Sequence, residues 1–130
     1  MIKSLHVSQS EAASMATSVE PFCDDRGLLG FACARNMRKL ADACLEYIKI
    51  RDSALKEFGE GVIDANDRVV GYRIGPESEG WARFKDRMEP FDGLECDVEI
   101  MTVPASEVIG KISGRESLTI DWMIEEVDGA

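Results

Sequence analysis

The sequence predicts an α+β fold: a helical hairpin with one long helix, a small antiparallel sheet made of a β-hairpin and one further strand, and further short helices. Three observations predict it. Apolar residues recur at steps of three and four between Cys33 and Phe58, the spacing of one helix face. Leu94, Cys96, Val98 and Ile100 alternate with Glu95, Asp97 and Glu99, the period of a half-buried strand. The order helix, helix, hairpin, helix, strand, helix lacks the regular alternation that builds parallel sheets.

The elements follow in order. Met1–Leu5 has one lysine and no apolar run of signal-peptide length, so no signal peptide is expected, and the segment up to His6 is expected to be a mobile terminus. Ser8-Gln9-Ser10-Glu11 is a capping-box pattern that starts a helix running to about Val19. That helix is rich in Ala and Ser, and Pro21 helps to end it. Asp24 or Asp25 caps the long helix, which reaches about Phe58 along a seam of Cys33, Met37, Leu40, Cys44, Tyr47 or Ile48, Leu55 and Phe58. Gly27 and Gly30 weaken its first turns, and Gly59 and Gly61 stop it. Arg38 with Asp42 and Asp52 with Lys56 are i, i+4 pairs, each worth about 0.2–0.5 kcal/mol. Arg51 falls on the apolar stripe. It either lays its stem on the core with its head in water, or it is a buried ion-pair or ligand-binding guanidinium.

Val62 to Ile74 reads as a β-hairpin turning at Asp64-Ala65-Asn66-Asp67, with a bulge or close approach at Gly71. Pro76 opens a third helix with Trp81, Phe84 and Met88 on its apolar face, and Pro90 closes it. The strand spans Leu94 to Val103. A short helix follows over Ser106 to Ile112. A second capping box, Ser113-Gly114-Arg115-Glu116, opens a last helix that runs to Val127.

A length of 130 residues fits one domain, residues 1–130, and a hydrophobic fraction of 45% supplies its core. Acids outnumber bases by 25 to 15, a net charge of −10. Such a surface repels phosphate backbones, so no direct nucleic-acid partner is expected; it keeps the chain in solution and suits a basic partner. Cys23, Cys33, Cys44 and Cys96 form no short-spaced pairs, and Cys33 and Cys44 share a helix face as small buried hydrophobes. Unpaired thiols fit a reducing, cytoplasmic compartment. No run of 18 apolar residues is present, so no membrane span is expected.

Candidate chemistry is sparse. Glu95, Asp97 and Glu99 form a ladder on one strand face, the best divalent-metal candidate. Same-face neighbours lie about 7 Å apart, however, so a metal needs ligands from elsewhere, and a solvated strand face explains the ladder. Arg68 and Arg73 pair across to it if the hairpin is its neighbour. Asp64, Asn66 and Asp67 lack the glycine and glutamate of a calcium loop and mark a turn. His6, the single histidine, stands near the terminus, away from any nucleophile. Gly110-Lys111-Ile112 lacks the spacing and hydroxyl of a phosphate loop. Trp81 and Trp122 are expected in the core. Arg35, Arg38, Lys39 and Lys49 cluster on the long helix, diluted by Asp42 and Glu46. The expectation is no enzyme: no catalytic, cofactor-binding or metal residue, and no cofactor.

Several pieces of the chain share order and pattern with one family: Met37-Arg38-Lys39-Leu40 through Tyr47 and Arg51 to Phe58-Gly59, the Asp64 to Ile74 region, Leu94 to Ile100, and Leu118 to Glu126. In these it resembles small phage and prophage proteins of unknown function from Gram-positive bacteria. The resemblance implies an origin in a phage or integrated element, and supplies no active site. The function expected is a non-enzymatic structural or assembly accessory working through a protein partner or self-association. The alternatives are an acidic regulator or nucleic-acid mimic on a basic partner, and a divalent-metal hydrolase built on Glu95, Asp97 and Glu99.

Overall fold

The structure, a computed structural model, describes residues 1–125. Its elements in chain order are β1 (Ile2–Ser8), α1 (Gln9–Val19), α2 (Leu28–Ala43), α3 (Leu45–Phe58), β2 (Glu60–Ile63), β3 (Val69–Arg73), α4 (Trp81–Met88), β4 (Glu95–Met101), β5 (Val103–Pro104), α5 (Gly114–Thr119) and β6 (Ile124–Glu125). The fold is α+β, as the sequence predicts. Among the described residues the strands form three two-stranded sheets: β1 with β4 and β2 with β3 antiparallel, β5 with β6 parallel. The chain divides into two compact units, Met1–Cys44 with the chain from Glu95 onward, and Leu45–Leu94.

In the first unit, α1 packs on α2 and α2 packs on β4. Ser8 starts α1 as expected, its Oγ accepting the Glu11 N–H at 3.1 Å. Ala12 and Ala13 are buried with Val19, and small side chains of this kind let two helices approach closely. Asp25 caps α2: its carboxylate accepts the N–H groups of Gly27 and Gly30 at 3.0 and 3.3 Å. Gly30 is required there because a Cβ would overlap the Asp25 carbonyl. Leu29, Cys33, Leu40, Ile100, Ile120 and Met123 fill the core.

One buried polar side chain ties helix to strand. Asn36, fully buried on α2, accepts the Met101 N–H at 2.7 Å and donates to the Met101 carbonyl at 2.8 Å. The reason lies in the register of β1 and β4. Met1 and Thr102 exchange backbone bonds, 2.8 Å from the Thr102 N–H and 3.3 Å from the terminal amine, so by alternation Ile2–Met101 is a non-bonded pair. Met101 therefore turns its backbone groups away from β1, and Asn36 meets both.

The second unit is thinly cored. Among the described residues its buried apolar side chains are Tyr47, Ala54 and Met88, against sixteen in the first unit. Arg87 of α4 makes a two-pronged bond to Glu57 of α3 at 2.9 and 3.3 Å and lies 5.0 Å over the Phe58 ring. The hairpin turns where expected, with the Asp64 carboxylate accepting the N–H groups of Asn66 and Arg68 at 2.8 and 3.0 Å and Asp67 at φ 59. A register shift accompanies it: Val62 faces Gly71 and Ile63 faces Val69, leaving Val70 as the extra residue beside Gly71.

Several expectations are corrected. The long helix is two helices, because Cys44 leaves helical geometry at φ −113, ψ 21, while its Sγ bonds the Leu40 carbonyl at 3.0 Å. Arg38 and Asp42 form no ion pair among the described residues, and Asp52 pairs with Arg51 at 3.7 Å. Met1–Leu5 is no loose terminus: Ile2–Ser8 is β1, seven residues in register with β4. The hairpin is a sheet of its own, so β4 takes β1 as neighbour. The third helix starts at Trp81, after a turn in which Ser78 Oγ accepts the Gly75 N–H at 3.0 Å. Ser106–Ile112 holds one 3₁₀ turn, Ala105–Glu107, and a single bridge. The Ser113–Glu116 capping box forms as expected, but α5 stops at Thr119 where Ile120 turns to φ −124. The predicted continuation over residues 126–127 lies outside the described residues.

The bridge from Asn36 makes a direct prediction. Asn36→Ala strands the N–H and C=O of Met101 and is expected to cost about 2–3 kcal/mol of stability. Urea denaturation reads this as a lower midpoint, and an unchanged midpoint contradicts it.

Candidate functional site

The carboxylate ladder acquires a partner from the opposite end of the chain. In the β1–β4 register His6 stands opposite Asp97, in a non-bonded pair where facing side chains come closest. His6 Nδ1 lies 2.7 Å from Asp97 and Nε2 lies 2.8 Å from Glu95. Glu99, the third acid, faces Ser4. All three project to the exposed face, while Val98 and Ile100 are buried on the other.

This geometry decides the chemistry. A catalytic histidine needs one ring nitrogen on an orienting acid and the other on its nucleophile. Here both nitrogens are occupied by carboxylates. A metal is equally ill placed, since the atoms that would ligate it are bonded to one another on opposite sides of the ring. Among the described residues no group of three His, Cys, Asp or Glu side chains is placed to hold a metal ion. The cluster is an imidazole clamped between two carboxylates. Its hydrogen bonds to Asp97 and then Glu95, reinforced by their charges, raise the histidine pKa above its ordinary 6.5.

The other sequence-level candidates stay apart. Arg68 and Arg73 lie at the hairpin, and the ladder's cross-strand neighbours are the residues of β1. Cys23, Cys33, Cys44 and Cys96 are in no disulfide among the described residues. Burial pushes the Cys33 thiol up to about 12 and raises Cys23 and Cys96 in the same direction, the opposite of what activates a thiol. Lys111 pairs with Asp25 at 3.5 Å and with Glu107 at 3.6 Å. Burial would raise the Asp25 pKa, but the Gly27 and Gly30 N–H groups and the Lys111 ammonium outweigh it and hold it below its ordinary value. Arg51 is half-exposed beside Asp52, the snorkelling arrangement.

Both tryptophans are half-buried instead of core. Trp81 stacks on Phe84 with centroids 6.0 Å apart, and Trp122 lines a 560 Å³ cleft with Lys3, Asp121 and Glu125. The feature that sequence reasoning missed is apolar. By alternation Ile63, Val70 and Tyr72 share one face of the hairpin, and the bulge sets Val69 opposite Ile63. All four are exposed, Val70 at 64% and Ile63 at 60%. The unbroken apolar spelling of Val69-Val70 was the available signal.

The chain matches no protein-family model, no curated protein and no solved structure. Among the described residues no helix is long and apolar enough to cross a membrane.

The histidine clamp sets a pH dependence. Because the folded pKa is raised, its contribution to stability is complete below the unfolded value and is lost as pH rises through the folded one. Denaturation midpoints are expected to fall as pH rises from the ordinary 6.5 through the raised folded value, where carboxylates stay ionised, and His6→Gln is expected to flatten that change. An NMR titration placing His6 at or below 6.5 overturns the clamp.

Proposed function

We propose that this protein is a non-enzymatic interaction protein that works through protein–protein contacts, as a structural or assembly accessory of a phage or integrated element. The observation that carries the contact role is the hairpin, whose face of Ile63, Val69, Val70 and Tyr72 lies in water. A two-stranded hairpin is marginal by itself, and a contiguous exposed apolar face marks an interaction surface. The thin core of the second unit points the same way: three buried apolar side chains leave it more to gain from covering this face. The phage setting rests on the resemblance of Met37 to Glu126 to small phage and prophage proteins.

Charge favours the same face of a second copy as the occupant. Glu60 to Arg73 contains three acids and two bases, so two chains of net charge −10 meet there with little repulsion. A two-fold axis would lay apolar face on apolar face. The patch is smaller than the roughly 800 Å² per partner of a standard interface, so weak, concentration-dependent pairing is expected.

The alternatives have less support. A metal hydrolase on Glu95, Asp97 and Glu99 loses its ligands to His6. A nucleic-acid mimic needs free carboxylates at phosphate spacing, and two of the three are held by one imidazole.

Native mass spectrometry and sedimentation across a concentration series are expected to show a monomer–dimer equilibrium. Val70→Lys and Ile63→Lys, both at exposed positions, are expected to abolish the dimer while leaving the circular dichroism spectrum unchanged. A strict monomer at about millimolar concentration overturns the self-association.

A further inference from the structure

A second surface, on the first unit, carries its own chemistry. Helix α2 is amphipathic, and its outward stripe is unusual for a chain with net charge −10. Leu28, Phe31, Arg35 and Lys39 follow at steps of three, four and four, so they lie along one line of the helix. Leu28 and Phe31 are large apolar side chains 41% and 49% exposed. The Arg35 guanidinium sits 5.0 Å over the Phe31 ring, which holds its charge against an apolar surface. Arg38 flanks the line, and Asp42 closes its far end. Among the described residues Arg35, Arg38 and Lys39 have no carboxylate within ion-pair distance. Lys111 of the same unit, by contrast, is paired with Asp25 and Glu107.

Beside the stripe is a cleft of 280 Å³ lined by Ile2, Arg35, Asn36, Lys39 and Met101. Its polar wall is already satisfied, because both ends of the Asn36 amide are bonded to Met101. The cleft therefore offers apolar walls from Ile2 and Met101 and positive charge from Arg35 and Lys39, with no free amide to recognise a polar group. It is below the size of small-molecule sites, and suits one inserted side chain.

We propose that the α2 stripe docks an acidic segment of a partner protein, with carboxylates on Arg35, Arg38 and Lys39 and one bulky apolar side chain in the Ile2–Met101 cleft. Charge complementarity selects this occupant. A nucleic-acid backbone meets the same cations, but it has no apolar side chain to fill the Ile2–Met101 cleft. Exposed Leu28 and Phe31 extend the apolar contact beyond the cleft, which charge alone does not use. The stripe lies on a different unit from the hairpin and stands independently of that reading.

The test uses the full chain and a short fluorescent peptide of glutamates carrying a leucine and a phenylalanine one helical turn apart. Saturable binding is expected, weakening with added salt and shifting the amide signals of Phe31, Arg35 and Lys39 in NMR. Arg35→Glu with Lys39→Glu is expected to lower affinity at least about tenfold. The same double variant is expected to bind a matching peptide with lysines in place of glutamates, which a misfolded chain does not do. Val70→Lys is expected to leave peptide binding unchanged, separating this surface from the hairpin. No binding at about millimolar peptide overturns the proposal, as does equal binding by an all-glutamate peptide or tighter binding by duplex DNA or anionic vesicles.

Discussion

The structure depends on one buried amide. Asn36 is the fully buried polar side chain of α2; it donates to and accepts from the backbone of Met101 at the end of β4, and its Nδ2 also reaches Met123 Sδ at 3.6 Å. A helix and a two-stranded ribbon packed through apolar contacts alone can slide and rotate with little change in buried area. Two hydrogen bonds to one backbone position remove that freedom, since each alternative register leaves buried polar groups unmade. The bridge also fixes which edge of β4 faces α2, and it thereby shapes the cleft between Arg35, Lys39, Ile2 and Met101.

The charges show a division of labour that the net value hides. The first unit carries fourteen of the acids and seven of the bases, the second eleven and eight. Most acids solvate exposed faces or cap helices, as Asp25 does at α2 and Glu116 at α5. The ladder on β4 follows the same logic with one addition. Glu95 and Asp97 converge on His6, whose two N–H groups can serve both only when the ring is charged. The arrangement joins the first strand to the fourth through an exposed cluster in which both ring nitrogens of His6 meet carboxylates.

Two exposed surfaces carry the proposals made above. The two exposed apolar features differ in character: the hairpin face is apolar and near neutral in charge, whereas α2 interleaves apolar side chains with unpaired cations. They lie on separate units, so a contact at one needs nothing from the other. Under the proposals above, one face would hold a copy of the chain and the other an acidic segment of a partner.

The sequence by itself determined the local elements. Ser8 and Ser113 cap their helices, Asp64 folds the hairpin turn, and the alternation of Leu94 to Ile100 makes a half-buried strand, because each depends on hydrogen bonds or periodicity within a few residues. Tertiary structure alone decided the rest. The break at Cys44 contains no proline or glycine to announce it, and it falls where the chain passes from one compact unit to the other. The strand at Ile2–Ser8 was written in the alternation of Leu5 and Val7 with His6 and Ser8, but it acquires meaning only beside β4. His6 and Asp97 are separated by 91 positions, and no spacing rule links them. Their meeting follows from a register chosen by which apolar side chains could be buried, and that choice belongs to the folded chain as a whole.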